Sequence, residues 1–442
     1  MRKNHAISGF CDEKSLPADG IPEGCNNDAH KPLRVLFASG GFFAFAGSTR
    51  RYRQYFRRMP FYGIQPVVAT SPPLRLKSMD GLASPPPMKG LVMRARVDDT
   101  PAVSIRPFGE SKIVRRFILF QLVYGMLLTN RDIRVVHMLQ QAKPKTFLWA
   151  LILRLFPVVR ILSITKDYEV KSRALKRLQR QQYDFYDAII CQSEDQRDYL
   201  LQLGVRREIQ IVANGVDTEV FRPASTTEDK LRLRQSLGLP LDEPVFLYVG
   251  SVQPRKGTDI LLEAWQTVVN AGSKARLCII GPRFDLKNPK WADFTAAIAR
   301  AMAGPGMEDS VIFYGFKSNI VDYLQAADAF VFPSENEGVP NAVLEAMACE
   351  LPCVLTPFFR DSTQLGQAEQ HFILVERSPA ALAKTLLKVA EGPEEARRAY
   401  GRQARALMID TMNMNHAVKV HCDLYRKHCA CRFVGEGDYS FE

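Results

Sequence analysis

The chain has 442 residues, of which 46% are hydrophobic and 24% charged, and its formal net charge is +12. This is an ordinary globular composition, but the length is too great for one core and predicts two domains of about 200 residues each. Nine cysteines are scattered without the spacing of a disulfide framework and without a preceding secretory signal, which favours a reducing cytosol.

The positive charge is concentrated in the first half of the chain. Residues 1–222 hold 35 Lys and Arg against 20 Asp and Glu, whereas residues 223–442 hold 24 against 27. A basic half suits an acidic partner such as an anionic membrane surface or a phosphorylated lipid. We expect no nucleic-acid partner, because no nucleic-acid-binding module is recognisable.

The most apolar stretch, 146–165, is interrupted by Arg154, Pro157 and Arg160. It therefore predicts a buried helix and a strand better than a membrane span. We expect a cytoplasmic protein whose contact with the inner membrane face, if it has one, is peripheral. Residues 1–31 contain no apolar core segment and are expected to form a disordered tail.

The first half alternates between predicted strands and helices. Pro-, Gly- and Ser-rich residues 72–103 predict a loop with little regular structure. The predicted strands are 33–39, 132–138, 158–164, 187–192 and 209–212, and the predicted helices are those from about Ser48, 113–128, 147–156, 171–183 and from Ser193 to near Gly204.

Two of these helices are strongly basic. The helix from Ser48 interleaves five arginines with Tyr52, Tyr55 and Phe56. One interpretation is a solvated basic face over a packed aromatic stripe, and the other is contact with an acceptor phosphate or a membrane surface. The helix 171–183 carries Ala174 and Leu178 four residues apart and is a second candidate for the membrane surface, with a helix at the edge of the core as the alternative.

The second half repeats the alternation. A turn at 214–217 (NGVD) leads into a linker and helix over 223–242, and strands are predicted at 245–249, 277–281 and 311–315. Arg255 and Lys256 follow the first of these strands and precede a helix from about Thr258, so cations and helix amides converge on one anion. Regular alternation, present twice, predicts two parallel α/β domains.

The segment 328–356 carries the strongest chemical signal. A buried strand at 329–332, a loop at 333–339, a helix at 341–349 and a strand at 352–356 place free helix amides beside the loop, where they can bind a phosphate. Glu337 and Glu345 frame that helix start, and ionised carboxylates accept hydrogen bonds from sugar or ribose hydroxyls. The pair suits a nucleotide sugar, although two solvated glutamates are the simpler alternative.

The residues 337–352, EGVPNAVLEAMACELP, resemble the E-x7-E region of glycosyltransferase family four, whose members are retaining enzymes with the GT-B fold. The resemblance implies an α/β architecture of two Rossmann-like parallel-sheet domains facing each other across a cleft. On this basis we expect an acceptor-side domain at 32–222, a nucleotide-sugar domain at 223–412, and a helix crossing back to the first domain within 413–442.

The resemblance, together with the loop positions, also assigns candidate site residues. The catalytic candidates are Glu337, Lys256, Arg255 and His137. The donor-binding candidates are Gly47, Ser251, Phe316, Lys317, Gly338, Val339, Pro340, Asn341, Ala342 and Glu345. The candidates for acceptor or membrane contact are Arg50, Arg51, Lys166 and Asp167. Many relatives have a histidine at the position of Leu139 and a His-Asp pair at 166–167, so the acceptor side departs from the family pattern.

No Asp-x-Asp sequence is present to hold a divalent ion, so we expect a metal-independent reaction without a cofactor. The expected partners are a UDP- or GDP-sugar and a glycan or lipid-linked acceptor. Two other functions remain open, a nucleotide-sugar epimerase of GT-B type and a non-catalytic nucleotide-sugar-binding scaffold. Metal-ligand spacing can also be drawn through the last histidines and cysteines, which are His421, Cys422, His428, Cys429 and Cys431.

Overall fold

The computed structural model of the chain forms two α/β units. It describes residues 32–39, 47–70, 92–97, 100–105, 112–139, 146–164, 172–282, 289–337, 339–358 and 365–433, with only the backbone at 47–50, 92–97, 100–105 and 112–118. The N-terminal unit contains the described residues up to Asp217 together with 339–341 and 412–433, and the C-terminal unit contains 218–337 and 342–411.

The N-terminal unit is built on an eight-stranded sheet with the order β3-β4-β2-β1-β5-β6-β7-β8. Its strands are β1 (Leu33–Ser39), β2 (Ile64–Thr70), β3 (Val92–Val97), β4 (Thr100–Ile105), β5 (Ile133–Leu139), β6 (Val159–Ser163), β7 (Ala188–Cys191) and β8 (Glu208–Ile211). All neighbours are parallel except β3 and β4. All four residues of β7 (AIIC) are apolar and buried, as expected for a parallel strand that is covered on both faces of the sheet.

Helices cover both faces of this sheet. Its helices before residue 217 are α1 (Gly47–Arg58), α2 (Lys112–Thr129), α3 (Phe147–Leu153), α4 (Arg173–Tyr183) and α5 (Glu194–Gln202). Residues of α2 to α5 pack into one core, and residues of α1 pack into a second core on the other face. Ser193 caps α5 by accepting a hydrogen bond from the Gln196 amide at 3.3 Å, as the sequence predicts.

The prediction of an irregular loop over 72–103 is wrong for its last part. Residues 92–97 and 100–105 pair as the antiparallel strands β3 and β4, in which Arg94 lies opposite Val103. The sequence VMRARV of β3 alternates apolar and polar residues, a period of two that is typical of a half-buried strand. The neighbouring Pro- and Gly-rich residues obscured this signal.

The C-terminal unit is built on a six-stranded parallel sheet with the order β11-β10-β9-β12-β13-β14. Its strands are β9 (Val245–Val249), β10 (Arg276–Ile280), β11 (Val311–Gly315), β12 (Ala329–Phe332), β13 (Cys353–Leu355) and β14 (Ile373–Leu374). Its helices are α6 (Thr227–Leu237), α7 (Thr258–Asn270), α8 (Ala292–Met302), α9 (Met307–Ser310), α10 (Ile320–Ala326), α11 (Asn341–Ala348), α12 (Pro379–Glu391) and α13 (Glu394–Thr411).

This strand order is that of a doubly wound nucleotide-binding sheet. In such a sheet all strands run parallel, and the order in which they are added reverses between the first and the fourth strand. Here the reversal lies between β9 and β12, which are neighbours in the sheet. Ligands bind such sheets outside the carboxyl ends of the strands at that reversal point. The topology alone therefore directs attention to the residues that follow Val249 and Phe332.

The last helix, α14 (Met414–Phe433), belongs to the N-terminal unit. Val418, Cys422 and Tyr425 lie in the same core as α1. The bounds of α14 lie within the range 413–442 in which the last helix was predicted. In the part of the chain that the structure describes, no helix combines the length and the apolarity needed to span a membrane.

Candidate active site

Three of the four predicted catalytic side chains meet at the reversal point of the C-terminal sheet. Arg255 and Lys256 lie on a short 3₁₀ turn, Pro254–Lys256, that follows β9, and Glu337 lies in the loop that follows β12. Because β9 and β12 are parallel neighbours, the segments that leave their carboxyl ends emerge side by side.

The two cations both pair with the one carboxylate. Lys256 Nζ lies 2.7 Å from Glu337 Oε1, and Arg255 pairs with the same oxygen. Ser334 Oγ donates a third hydrogen bond to Oε1 at 2.8 Å. Among the residues that the structure describes, every hydrogen bond to this carboxylate goes to Oε1. Oε2 therefore retains its capacity to accept a hydrogen bond from a ligand.

The loop that carries Glu337 is tied to the 3₁₀ turn by backbone bonds as well. The Glu335 amide donates to the Arg255 carbonyl at 2.9 Å, and Arg255 Nη1 donates to the Asn336 carbonyl at 2.6 Å. Thr356, just after β13, donates its hydroxyl to the Ser334 carbonyl at 2.7 Å. The site is thus positioned by three adjacent strand ends rather than by one mobile side chain.

Gly257 explains why the turn and the loop approach so closely. Its φ is +68°, a conformation that favours glycine, and a Cβ there would lie 2.2 Å from the Pro333 carbonyl oxygen. Any larger residue would push the turn away from the loop. Arg377 donates to the same Pro333 carbonyl at 3.1 Å. Gly257 was not among the predicted site residues, although a glycine between a basic pair and a helix start is a detectable signal.

The electrostatics of the cluster favour binding of an anion. Burial lowers the pKa of Lys256 below its ordinary value, Glu337 opposes that effect and Arg255 adds to it. The Lys256 ammonium also lies 4.7 Å from the centre of the Phe332 ring, which stabilises the cation further. Two cations against one carboxylate leave a net charge of +1, held in a partly buried site where charge interactions are stronger than in water.

Glu345, the second predicted carboxylate, is a buried residue of α11 with only 6% of its surface exposed. The adjoining predicted residues Val339 and Asn341 both contact Asn214, whose Nδ2 donates to the Val339 carbonyl at 2.6 Å and to Asn341 Oδ1 at 3.3 Å. Asn214 belongs to the NGVD turn. Of the other predictions at this helix start, Pro340 is buried, Ala342 is half-buried, and Gly338 lies outside the described residues.

The remaining donor-binding candidates of the C-terminal unit also follow strand ends. Ser251, after β9, accepts a hydrogen bond from Gln253 Nε2 at 2.8 Å. Phe316 and Lys317 follow β11, are half-buried, and the Lys317 ammonium lies 5.7 Å from the centre of the Tyr314 ring. These residues therefore line the same edge of the sheet as the Arg255–Lys256–Glu337 cluster.

The prediction that His137 is catalytic is wrong. It lies inside β5, opposite Phe37 of β1, and has no exposed surface. Its Nδ1 is 2.6 Å from the Tyr425 hydroxyl and its Nε2 is 2.7 Å from the Ser163 hydroxyl. Because both ring nitrogens are bonded to buried side chains, neither is available to a substrate.

Arg51 was predicted to contact an acceptor or a membrane. Membrane contact is wrong for this residue, because only 4% of its surface is exposed, and acceptor contact stays a prediction. Its guanidinium lies 5.2 Å from the Tyr52 ring centre and 5.9 Å from that of Tyr55. The packed aromatic stripe is therefore the correct interpretation of α1. Gly47 and Arg50 lie in its first turn, whose side chains are not described, and Lys166 and Asp167 lie outside the described residues.

The two C-terminal histidines are bonded to groups of the protein itself. His421 Nδ1 bonds to the Ala417 carbonyl at 2.7 Å, and His428 Nε2 lies 3.0 Å from Glu208 Oε2. Within the described residues, no three His, Cys, Asp or Glu side chains are grouped to hold a metal ion. The predicted alternative of a metal site through these residues has no geometric support there.

Each half of the chain matches a known protein family. The family described as "Glycosyl transferases group 1" matches residues 229–407, and the one described as "Glycosyltransferase Family 4" matches residues 86–220. The chain belongs to glycosyltransferase family four. The first match covers the Arg255–Lys256–Glu337 cluster and Glu345, and the second covers most of the N-terminal sheet.

Curated members resemble this family-four chain over part of its length. The D-inositol 3-phosphate glycosyltransferase of Frankia alni is 29% identical over 229 residues, which is 49% of this chain and 54% of that protein. The chain thus spans about half the length of the curated relatives it matches.

Solved structures establish the GT-B fold. Sucrose-phosphate synthase from Thermosynechococcus elongatus has a TM-score of 0.70 at 18% identity and covers 91% of this chain and 100% of its own. Anabaena HepE, solved in complex with UDP and glucose, has a TM-score of 0.67 at 15% identity. The match covers 89% of this chain and 100% of the HepE chain.

Proposed function

We propose that this chain is a retaining, metal-independent glycosyltransferase. In this proposal it moves a sugar from a UDP- or GDP-sugar to a glycan or lipid-linked acceptor in cell-surface polysaccharide or glycoconjugate biosynthesis. The observation that carries the proposal is the convergence of Arg255, Lys256 and Glu337 at the reversal point of a nucleotide-binding sheet. The family assignment and the structure of HepE in complex with UDP support a nucleotide-sugar donor.

The chemistry requires a site that stabilises a departing nucleotide. Breaking the bond between sugar and phosphate builds positive charge on the sugar ring and negative charge on the leaving diphosphate. In the proposal, Arg255 and Lys256 bind that diphosphate, and their charge stabilises it most when the bond is nearly broken. A cationic pair can do this without a divalent ion, in agreement with the lack of an Asp-x-Asp sequence.

The two glutamates have separate roles in the proposal. Glu337 accepts a hydrogen bond from a hydroxyl of the donor sugar through Oε2, while Oε1 remains paired with the cations. Glu345 accepts hydrogen bonds from the ribose hydroxyls, as the E-x7-E resemblance implies. Phe316 and Lys317 lie beside the base, and the amides at the start of α11 contribute to phosphate binding.

The test has two stages. Calorimetric titration with UDP and GDP should show binding of at least one, and Lys256→Ala should weaken it while Arg232→Ala, an exposed arginine on α6, should not. Donor consumption is then measured with cell membranes as the acceptor source, with and without EDTA. NMR of the product should show a retained anomeric configuration, and activity should survive EDTA.

Each alternative gives a different result. Failure to bind either nucleotide refutes the donor site. Binding without consumption with any membrane or glycan acceptor favours a non-catalytic scaffold, and an epimerised donor formed without acceptor favours an epimerase. Loss of activity with EDTA that returns with a divalent ion refutes the metal-independent mechanism.

A further inference from the structure

The outer face of α3 is lined with leucines. Leu148 and Leu151 lie on the helix and Leu155 just beyond its end, and they are 58%, 40% and 81% exposed. Single exposed leucines are normal on protein surfaces. Three of them at intervals of three and four residues fall on one side of a helix, so they form a continuous stripe rather than scattered exposures.

This exposure is built into the fold, because the helix is firmly held on its inner side. Ala150 and Leu153 pack into the core beneath. The Trp149 ring stacks on Phe120 at 4.6 Å with an interplanar angle of 5°, and Tyr124 donates to the Trp149 carbonyl at 2.7 Å. The leucine stripe therefore points outward in a fixed orientation.

Basic residues lie on the next helix of the same face. The neighbouring helix α4 packs against α3 on the same face of the sheet, and Gln182 near its end donates to Thr146 at 2.6 Å. Residues 173–177 of α4 are all exposed and comprise Arg173, Lys176 and Arg177 together with Ala174 and Leu175, the latter 40% exposed. Arg154 adds a further exposed cation beside the stripe.

Neither segment contains an acidic residue. The sequences 146–164 and 172–183 have no Asp or Glu. Among the described residues, no ion pair joins Arg173, Lys176 or Arg177 to a carboxylate. Exposed leucines rimmed by unneutralised cations match an anionic lipid surface, where apolar side chains enter the interface and cations meet the headgroups. A protein partner would have to be both apolar and acidic over the same area.

We propose that α3 and the first turns of α4, the α3–α4 surface, dock the protein onto an anionic membrane. Its core is Leu148, Leu151, Leu155 and Leu175, and its rim is Arg154, Arg173, Lys176 and Arg177. We do not include α1 in this surface, because its aromatic side is buried and Arg58 is paired with Asp217. This docking does not depend on the proposed transfer reaction, so the two can fail separately.

The first experiment is vesicle flotation of the full chain. Vesicles of phosphatidylcholine with phosphatidylglycerol should retain the protein at low salt, and pure phosphatidylcholine vesicles should retain much less. Each basic residue at an anionic surface contributes about fivefold in affinity. Replacing Arg173, Lys176 and Arg177 by Gln should therefore weaken binding by about a hundredfold at low salt and flatten its salt dependence.

Matched controls separate this surface from net charge and general hydrophobicity. Replacing Leu148, Leu151 and Leu155 by Ser should abolish the binding that persists at higher salt, whereas Leu201→Ser, at an exposed leucine of the acidic helix α5, should leave binding unchanged. Replacing Arg232, Arg398 and Arg402 by Gln removes the same charge from exposed sites of the C-terminal unit and should also have no effect. All these sites are exposed, so circular dichroism melts should match the wild type.

A second readout locates the contact directly. A tryptophan introduced by Leu151→Trp should be quenched by brominated lipid in anionic vesicles, and one introduced by Leu201→Trp should not. Absence of binding to anionic vesicles at low salt refutes the proposal, as does equal binding of the α3–α4 variants and the wild type. A dimer that dissociates on Leu→Ser replacement without any vesicle binding would identify the surface as a self-association site instead and overturn the membrane proposal.

Discussion

We predict that Tyr425→Phe destabilises the N-terminal unit by about 1–3 kcal/mol, although it removes one hydroxyl and no volume of the core. The reason is a buried chain of five polar side chains, Tyr425, His137, Ser163, Tyr52 and His421, linked in that order. The successive distances are 2.6, 2.7, 2.7 and 3.2 Å.

The donor and the acceptor of each hydrogen bond in this network follow from the bond that His421 makes at one end of it. His421 Nδ1 faces the Ala417 carbonyl, which can only accept, so Nδ1 donates. Burial lowers the pKa of His421 to about 4, so the ring is neutral and Nε2 accepts from Tyr52. Tyr52 then accepts from Ser163, and Ser163 accepts from His137 Nε2. His137 Nδ1 must therefore accept from the Tyr425 hydroxyl.

The magnitude follows from what the variant leaves behind. Phenylalanine at 425 leaves His137 Nδ1 without its donor in a fully buried site, and an unpaired buried acceptor costs about 1–3 kcal/mol. Tyr400→Phe is the matched control, because the Tyr400 hydroxyl bonds the exposed Glu369 and water can replace it. That variant should change stability by less than about 0.5 kcal/mol.

Native-state hydrogen exchange measures the free energy of each unit separately, at the β5 and α14 amides for Tyr425→Phe and at the α13 amides for Tyr400→Phe. Nitrogen-15 NMR of the imidazoles provides the second test, with His137 protonated at Nε2 and His421 at Nδ1. An effect of Tyr425→Phe no larger than that of Tyr400→Phe, or the opposite tautomer at either ring, would refute this assignment of donors and acceptors.

The two histidines of this hydrogen-bonded network predict that the N-terminal unit loses stability in acid. Burial lowers the pKa of His137 well below its ordinary value, and His421 and Arg51 lower it further. The unfolded chain therefore binds protons first as pH falls below about 6.5. Stability is fully present above that pH and is lost toward the folded pKa values, by about 1.4 kcal/mol per pH unit for each histidine. Arg51, Tyr52, Tyr55 and Tyr425 face the two rings, and none of them carries a negative charge to offset a second cation.

Three further variants test the C-terminal unit. Glu345→Ala should weaken nucleotide binding by about 1–3 kcal/mol because ribose hydroxyls lose a charged acceptor, and equal calorimetric affinities for UDP and GDP in variant and wild type would contradict this. Lys256→Ala should lower kcat more than it raises KM, since leaving-group charge grows in the transition state; an unchanged kcat with a raised KM would make Lys256 a ground-state anchor only. Asp328→Asn should cost about 3 kcal/mol at neutral pH, because it leaves Arg234 buried without its carboxylate. Burial raises the pKa of Asp328, but Lys230 and Arg234 lower it below its ordinary value. The difference from wild type in urea unfolding should therefore be present above pH 4 and vanish as pH falls through the folded pKa; a difference that persists unchanged in acid would contradict the assignment.

The C-terminal site was predictable because its information is local in sequence. Arg255 and Lys256 each follow a strand end directly, as Glu337 does, and parallel neighbours bring such segments together. The sequence could not show that Glu337 neutralises one of the two cations, because 81 residues separate it from Lys256 and either could have faced solvent. The turn and the loop are brought together by the close approach at Gly257, a property of backbone geometry.

The N-terminal unit was less predictable because its polar groups pair over long separations. His137 bonds Tyr425 of α14, 288 residues later in the chain, and Tyr52 bonds His421 over 369 residues. A histidine within an apolar strand has the same local pattern whether it binds a substrate or closes a buried network. Only the position of the last helix distinguishes the two, and helix position is a tertiary property.

Whether each basic residue is buried or exposed also could not be predicted from the sequence, for a physical reason. Both α1 and α4 are basic by sequence, but an arginine's environment depends on what covers its helix. On α1 the aromatic residues are drawn into the core, and they bring Arg51 with them because its guanidinium is stabilised against the Tyr52 and Tyr55 rings. On α4 the buried side chains are Gln179, Gln182 and Tyr183 at the end of the helix, so its first turns remain exposed with their cations. Arg51 is thus held in the core with the aromatic residues of α1, whereas the cations in the first turns of α4 remain exposed.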